Sequence, residues 1–180
     1  VSETLATSAL QRQAVVWPLP LENRKGSGSK VALLLLDDDL GLDLPFQPAG
    51  VVALLASSRS AVAETSPLVQ AFSSSAVADA VQQADARFAA TLRAPSLNAN
   101  AQEDVLEWVD AHGFTELVHA YVPSGNNHQI IALMQERLAS RGVRLSAFVR
   151  DYDRLVWPHA QKGFFQLGKR IPELLAAMDL

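Results

Sequence analysis

Between residues 116 and 158 the spacing of hydrophobic positions changes twice. Leu117 and Val118 lie in a short β-prone run that ends in a Pro/Ser/Gly turn. Ile130, Ile131, Leu133, Met134 and Leu138 then recur at helical spacing up to Gly142, and Val143, Leu145 and Phe148 form a second β-prone run. The pattern predicts strand, helix, strand. A crossover of this length joins parallel strands by a right-handed connection, in a sheet covered on both faces. Ligands of such sheets sit beyond the carboxyl ends of the strands. Here that edge carries Ser124, Gly125 and Asn126 after one strand and Arg150, Asp151 and Asp153 after the other.

The rest of the chain repeats the alternation. VALLLL, from Val31 to Leu36, is a continuous apolar run of the kind that forms a central strand, and it stops at Asp37, Asp38 and Asp39. After a loop containing proline, VVALLAS is a second such strand. Ala76, Ala80, Ala84 and Phe88, with Val77 and Val81 beside them, form a helical stripe, and the serines at 73–75 are expected to break or cap that helix. Residues 93–100 read as a turn with a short, degenerate strand. Asn100 and Glu103 have capping-box spacing at the head of a helix that carries Val105, Leu106, Trp108 and Val109 and stops at Gly113. Asn126 or Asn127 is the expected N-cap of the next helix. Residues 154–170 read as an irregular aromatic and basic loop, and a last helix offers Leu174, Leu175 and Met178 to the sheet.

These elements compose an α/β fold, a doubly wound, Rossmann-like parallel sheet of four to five strands with helices on both faces. The first strand is expected beside the strand at 116, at the switch point. Residues 1–30 read as an N-terminal segment and Gly/Ser linker, and residues 31–180 as the domain. Val16, Trp17 and Leu19 of the first segment are expected to pack on the domain or on a partner, and the opening Val1 suggests a fragment, a processed chain or a domain cut from something longer.

The composition is that of a globular protein, and a net charge of -4 argues against whole-surface attraction to nucleic acid. Without cysteine the chain has no disulfide, thiol nucleophile or zinc-thiolate site. It has no run of the ~20 apolar residues that a membrane span needs, so no membrane contact and a cytoplasmic location are expected.

The order of features from Val31 to Leu174 resembles the α/β domain of the DNA photolyase/cryptochrome family. The residues that carry the likeness are Asp39-Leu40-Gly41-Leu42 with Pro45, where the family has D-L-R-L; Gly113 with Leu117-Val118; Leu138 through Gly142-Val143 to Leu145; Asp151 or Asp153 with Leu155-Val156 and Pro158; and the run from Lys162-Gly163-Phe164-Phe165 to Lys169-Arg170. The resemblance implies an accessory domain that docks on a FAD-binding helical domain of the same parent protein, in light-dependent DNA repair or blue-light sensing. It implies a folate or deazaflavin antenna as a possible chromophore, FAD in the partner domain rather than in this chain, and DNA reached only through the parent. Trp17, Trp157, Phe164, Phe165, Lys169 and Arg170 are the docking candidates, and Ser124, Gly125, Asn126, Asp151, Trp157 and His159 the ligand candidates.

A hydrolytic alternative stands beside it. A buried strand ending in D-x-D, here Asp37 and Asp39, is how haloacid-dehalogenase-like phosphohydrolases present a nucleophilic carboxylate and a general acid around Mg²⁺. Asp151 or Asp153 could complete that metal site and Ser57 or Ser58 hold phosphate. The bland alternative makes these aspartates exposed strand-end acids, one of them capping the next turn. The turn at Ser124-Gly125-Asn126 could offer backbone N–H groups to an anion, though without a G-x-G-x-x-G or P-loop pattern. Of the histidines, His119 is expected as a satisfied strand residue, and His159 lies in the aromatic, basic run.

Overall fold

The computed structural model describes residues 30–44, 46–55, 66–88, 91–92, 101–123 and 125–179. Trp17, Ser57, Ser58, Asn100 and Ser124 fall outside them, as does nearly all of the N-terminal segment. Lys30 already belongs to the domain: its carbonyl accepts from the N–H of Thr115 (3.0 Å) and its Nζ donates to the carbonyl of His112 (3.0 Å).

Five parallel strands, β1 (Val31–Leu36), β2 (Gly50–Leu54), β3 (Thr91–Leu92), β4 (Glu116–Ala120) and β5 (Arg144–Phe148), lie in the order β3-β2-β1-β4-β5. This is the doubly wound arrangement, with the switch point between β1 and β4. Leu33 of β1 stands opposite Val51 of β2 and Val118 of β4. The third strand is only Thr91–Leu92, just before the 93–100 stretch in which the sequence suggests a short strand and which lies outside the described residues.

The unbroken apolar run of β1 is divided by the strand period of two. Ala32, Leu34 and Leu36 point to one face, and Leu33 and Leu35 to the other. The first face is covered by α2 (Ala101–His112) and α3 (Asn126–Ala139), through residues such as Val105, Leu106, Met134 and Leu138. The second is covered by α1 (Pro67–Phe88) through Val77, Ala80, Val81 and Ala84. Small side chains on that stripe let α1 lie close to the sheet.

α1 is continuous through the serines expected to break it. Ser73 is buried in its packed stripe, and the Ser74 hydroxyl donates to the carbonyl of Gln70 (2.7 Å), satisfying itself inside the helix. Its 22 residues span about 33 Å, whereas a five-residue strand spans only about 17 Å. The entry end therefore overhangs the carboxyl edge of the sheet, and Leu68 and Phe72 are 81% and 72% exposed there.

Two further expectations are corrected. α3 is capped by Gly125 rather than by an asparagine side chain: at φ 151° and ψ -165° that residue takes a conformation reserved for glycine, so Asn126 and Asn127 already lie within the helix. Residues 154–170 are not an irregular loop. After β5 the chain folds into α4 (Asp151–Val156), a 3₁₀ turn (Trp157–Lys162) and α5 (Phe164–Gly168), followed by the expected last helix, α6 (Ile171–Ala177). Pro158 sits in the first turn of the 3₁₀ segment, where its missing N–H costs nothing, and Gly163, at φ 85°, makes the corner into α5. Of the three residues expected to dock α6, Leu174 is buried, Met178 is half-buried and Leu175 is exposed.

The β1–β2 connection contains no helix. It turns back at once, the Asp39 N–H donating to the Leu36 carbonyl (3.0 Å), and then crosses the α1 face with Leu40, Leu42, Leu44 and Phe46 packed against it.

Candidate functional site at the carboxyl edge of the sheet

Asp37, Asp39, Gly125, Asn126, Asp151, Asp153, Trp157 and His159 follow the carboxyl ends of β1, β4 and β5, so the topology brings them to one edge. The three aspartates after β1 do not act there as a group. Asp37 turns to the α3 side, where its Oδ1 accepts from Nδ2 of Asn127 (3.2 Å). Asp39 turns to the crossover side, where Arg150, two residues beyond β5, grips it with both arms: Nη1 to Oδ2 at 2.5 Å and Nη2 to Oδ1 at 2.8 Å. Asp38 is exposed. Since β4 lies between β1 and β5, these two ties flank its carboxyl end from opposite faces.

Arg150 gathers several neighbours. Its Nη2 also donates to the Gly41 carbonyl (3.1 Å), its guanidinium lies 5.5 Å from the ring centre of Phe148, and the Gly41 N–H donates to Oδ1 of Asp39 (3.1 Å). A Cβ on Gly41 would stand 2.7 Å from Arg150 Nη2. The turn holds a glycine and receives the guanidinium of Arg150 from the segment after β5. The hydrogen bonds to Asp39 raise the Arg150 pKa further above its ordinary value, with Asp153 and Asp43 adding their charge. Half-buried Asp153 is pushed above the usual carboxylate range by its burial, against the pull of Arg150 and with a push from Asp39.

This arrangement does not suit Mg²⁺. Both oxygens of Asp39 are taken by a guanidinium, Asp37 and Asp39 diverge to opposite faces, and Asp151 is exposed in the first turn of α4. Among the described residues no group of three His, Cys, Asp or Glu side chains gathers as a cation site. Asp37 ties the end of β1 to α3, and Asp39 ties it to the segment after β5.

The ligand candidates occupy the same edge without converging on one another. Gly125 and Asn126 open α3, and Asn127 is nine-tenths buried with its Oδ1 unpartnered. Trp157 and His159 are half-buried in the 3₁₀ turn, and the Trp157 ring meets that of Tyr121, beyond β4, edge-on at 5.4 Å. Beneath them His119 is buried in β4. Its Nδ1 carries the proton, because it donates to the carbonyl of Ala120 (2.7 Å), and burial lowers its pKa despite Asp38 nearby.

Of the described docking candidates, Trp157 belongs to this packing, whereas the others stand outside it. Phe164 and Phe165 are 70% and 83% exposed, with ring centres 5.9 Å apart, and Lys169 and Arg170 are exposed just beyond them, the latter paired with Glu173 (2.8 Å). Sequence reasoning missed Arg150 and Asn127 as the partners of the aspartates. The available signal was an arginine directly after a strand at the edge where three carboxylates cluster.

No family model, curated protein or solved structure matches this chain. No helix among the described residues is long and apolar enough to cross a membrane.

Proposed function

We propose that this chain is a non-catalytic accessory domain of a photolyase/cryptochrome-like flavoprotein, docking on a FAD-binding helical domain of the same parent protein in light-dependent DNA repair or blue-light sensing. The observation that carries this reading is the Phe164–Phe165 pair. Two neighbouring phenylalanines lie mostly in solvent on a short helix, and neither belongs to the domain's two core layers. Exposed aromatic groups of this size mark contact sites, and aromatic residues dominate the buried centres of protein interfaces. Exposed Tyr152 and half-buried Trp157 belong to the same helical appendage. A folate or deazaflavin would sit beyond the strand ends near Trp157, FAD belongs to the partner, and DNA is reached only through the parent.

The test is association with the parent's helical domain, followed by gel filtration, for the wild-type chain and for Phe164→Ser and Phe165→Ser. The reading expects a complex that each substitution weakens by about tenfold or more, as for truncation at a hot spot, with thermal unfolding unchanged. Absorption and emission spectra recorded with reduced folate, deazaflavin and FAD then decide whether a chromophore binds. A wild-type chain that forms no complex, or a complex indifferent to both substitutions, overturns the reading.

A further inference from the structure

Parallel neighbours in a sheet are ordinarily joined by a helix that covers one face. β1 and β2 are joined without one. The α1 face over β4 and β5 is covered instead by the crossover, whose Leu40, Leu42, Leu44 and Phe46 are half-buried where the helix residues Val77 and Ala84 are wholly buried. Phe46 meets Phe148 of β5 edge-on at 6.3 Å.

Among the described residues, one side chain fixes the far side of this cover to the segment just after β5 by hydrogen bonds. Arg150 takes both oxygens of Asp39 and the carbonyl of Gly41, with its guanidinium against Phe148. The anchor is not sealed away: the side chains of Arg150 and Asp39 are 22% and 31% exposed, within reach of water and of a competing ion. Among the described residues, the backbone hydrogen bonds of the crossover run from Asp39 to Leu36 and from Ala49 to Val31 (2.8 Å), both close to β1.

We propose that the crossover is a strap latched by Arg150, which opens as a unit while the sheet stays folded and so uncovers the apolar surface of Val118 and Phe148 at the carboxyl edge. Half-buried leucines on a segment held by an ionic clasp give it a lower opening free energy than the strands beneath, the condition for sub-global opening. Arg150 acts here as a positioning residue. This inference stands on the clasp and does not require the docking reading above.

The absence of native cysteine makes the motion directly measurable. Leu42→Cys places a thiol on the strap, and Val105→Cys places one in the α2 core as a control; each is labelled with a thiol reagent under native conditions and in rising urea. The strap thiol should label at a rate nearly independent of low urea, while the core thiol follows global unfolding. Adding Arg150→Gln or Asp39→Asn should speed strap labelling by about tenfold or more, the loss of a charge-assisted, two-armed bond, and leave the core thiol unchanged. Strap labelling that follows urea as the core does overturns the proposal even if neither clasp variant folds. Clasp variants that accelerate both thiols equally, or neither, overturn it too.

Discussion

Gly50 and Phe114 are packed so closely that a Cβ on the glycine would overlap the ring, and Cη2 of Trp108 would stand 2.9 Å from the same atom. β2 therefore begins with a glycine for a spatial reason, because α2 and the turn after it press two aromatic rings onto the sheet there. Trp108 and Phe114 lie 4.8 Å apart between ring centres, with His112 5.2 Å from Trp108. Gly50→Ala is expected to cost about 1–3 kcal/mol, the usual range for overpacking a tight core. The urea midpoint measures it, and Phe114→Leu in the same chain should recover part of the loss. Additive losses would show that the ring is not what excludes the methyl.

Trp108 makes a second prediction. Its Nε1–H is buried without a hydrogen-bond partner, and an orphaned buried donor costs about 1–3 kcal/mol. Trp108→Phe loses apolar contact but also removes that donor, so the two terms oppose. The substitution should cost clearly less than the roughly 3–5 kcal/mol of Trp→Ala in a core. Equilibrium urea unfolding of Trp108→Phe checks this, and a loss within that Trp→Ala range would mean that the donor is satisfied in solution.

Where one physical rule controlled an element, the sequence revealed it. The unbroken apolar run of β1, the 116–148 strand–helix–strand unit and the placing of β1 beside β4 follow from periodicity and from the rules of parallel sheets. The serines at 73–75 misled because propensity there is overruled by packing: Ser73 fits a stripe of small residues and Ser74 bonds back to Gln70. The helices after Asp151 were obscured by Pro158 and Gly163, which read as breakers but sit at a turn start and a corner.

The site was legible as an edge and not as a set of contacts. Chain order alone placed Asp37, Asp39, Gly125, Asp151 and Trp157 beyond strand ends. Which aspartate meets which partner depends on contacts across 90 and 111 positions, to Asn127 and Arg150. Local spacing carries no information about those.

The cap of α3 makes a third prediction. Gly125 has open space around the site of a Cβ, so any cost of a side chain there is conformational rather than steric crowding. Its φ of 151° lies in a region open essentially to glycine alone, and Gly125→Asn should cost about 1–3 kcal/mol. Gly142, at φ 73°, is in the left-handed region that asparagine tolerates, so Gly142→Asn should cost less than about 1 kcal/mol. Thermal unfolding of the two variants under one condition provides the comparison, and equal losses would contradict the assigned cap.

His119 sets the expected acid response. Burial lowers its pKa in the folded protein below the ordinary value of 6.5, so the folded state holds it neutral. As the pH falls below about 6.5 the unfolded chain takes up the proton first, and by linkage stability declines until the pH has passed the lowered folded-state pKa. Asp153 has the opposite sign: its raised pKa means that the folded state binds a proton more readily than the unfolded chain, so its contribution is greatest below the unfolded carboxylate value and fades as pH rises through the folded one. Between pH 7 and 5.5 the histidine should dominate. Urea midpoints across that interval should fall for the wild-type chain and fall less for His119→Gln, whereas parallel slopes would assign the acid response to other groups.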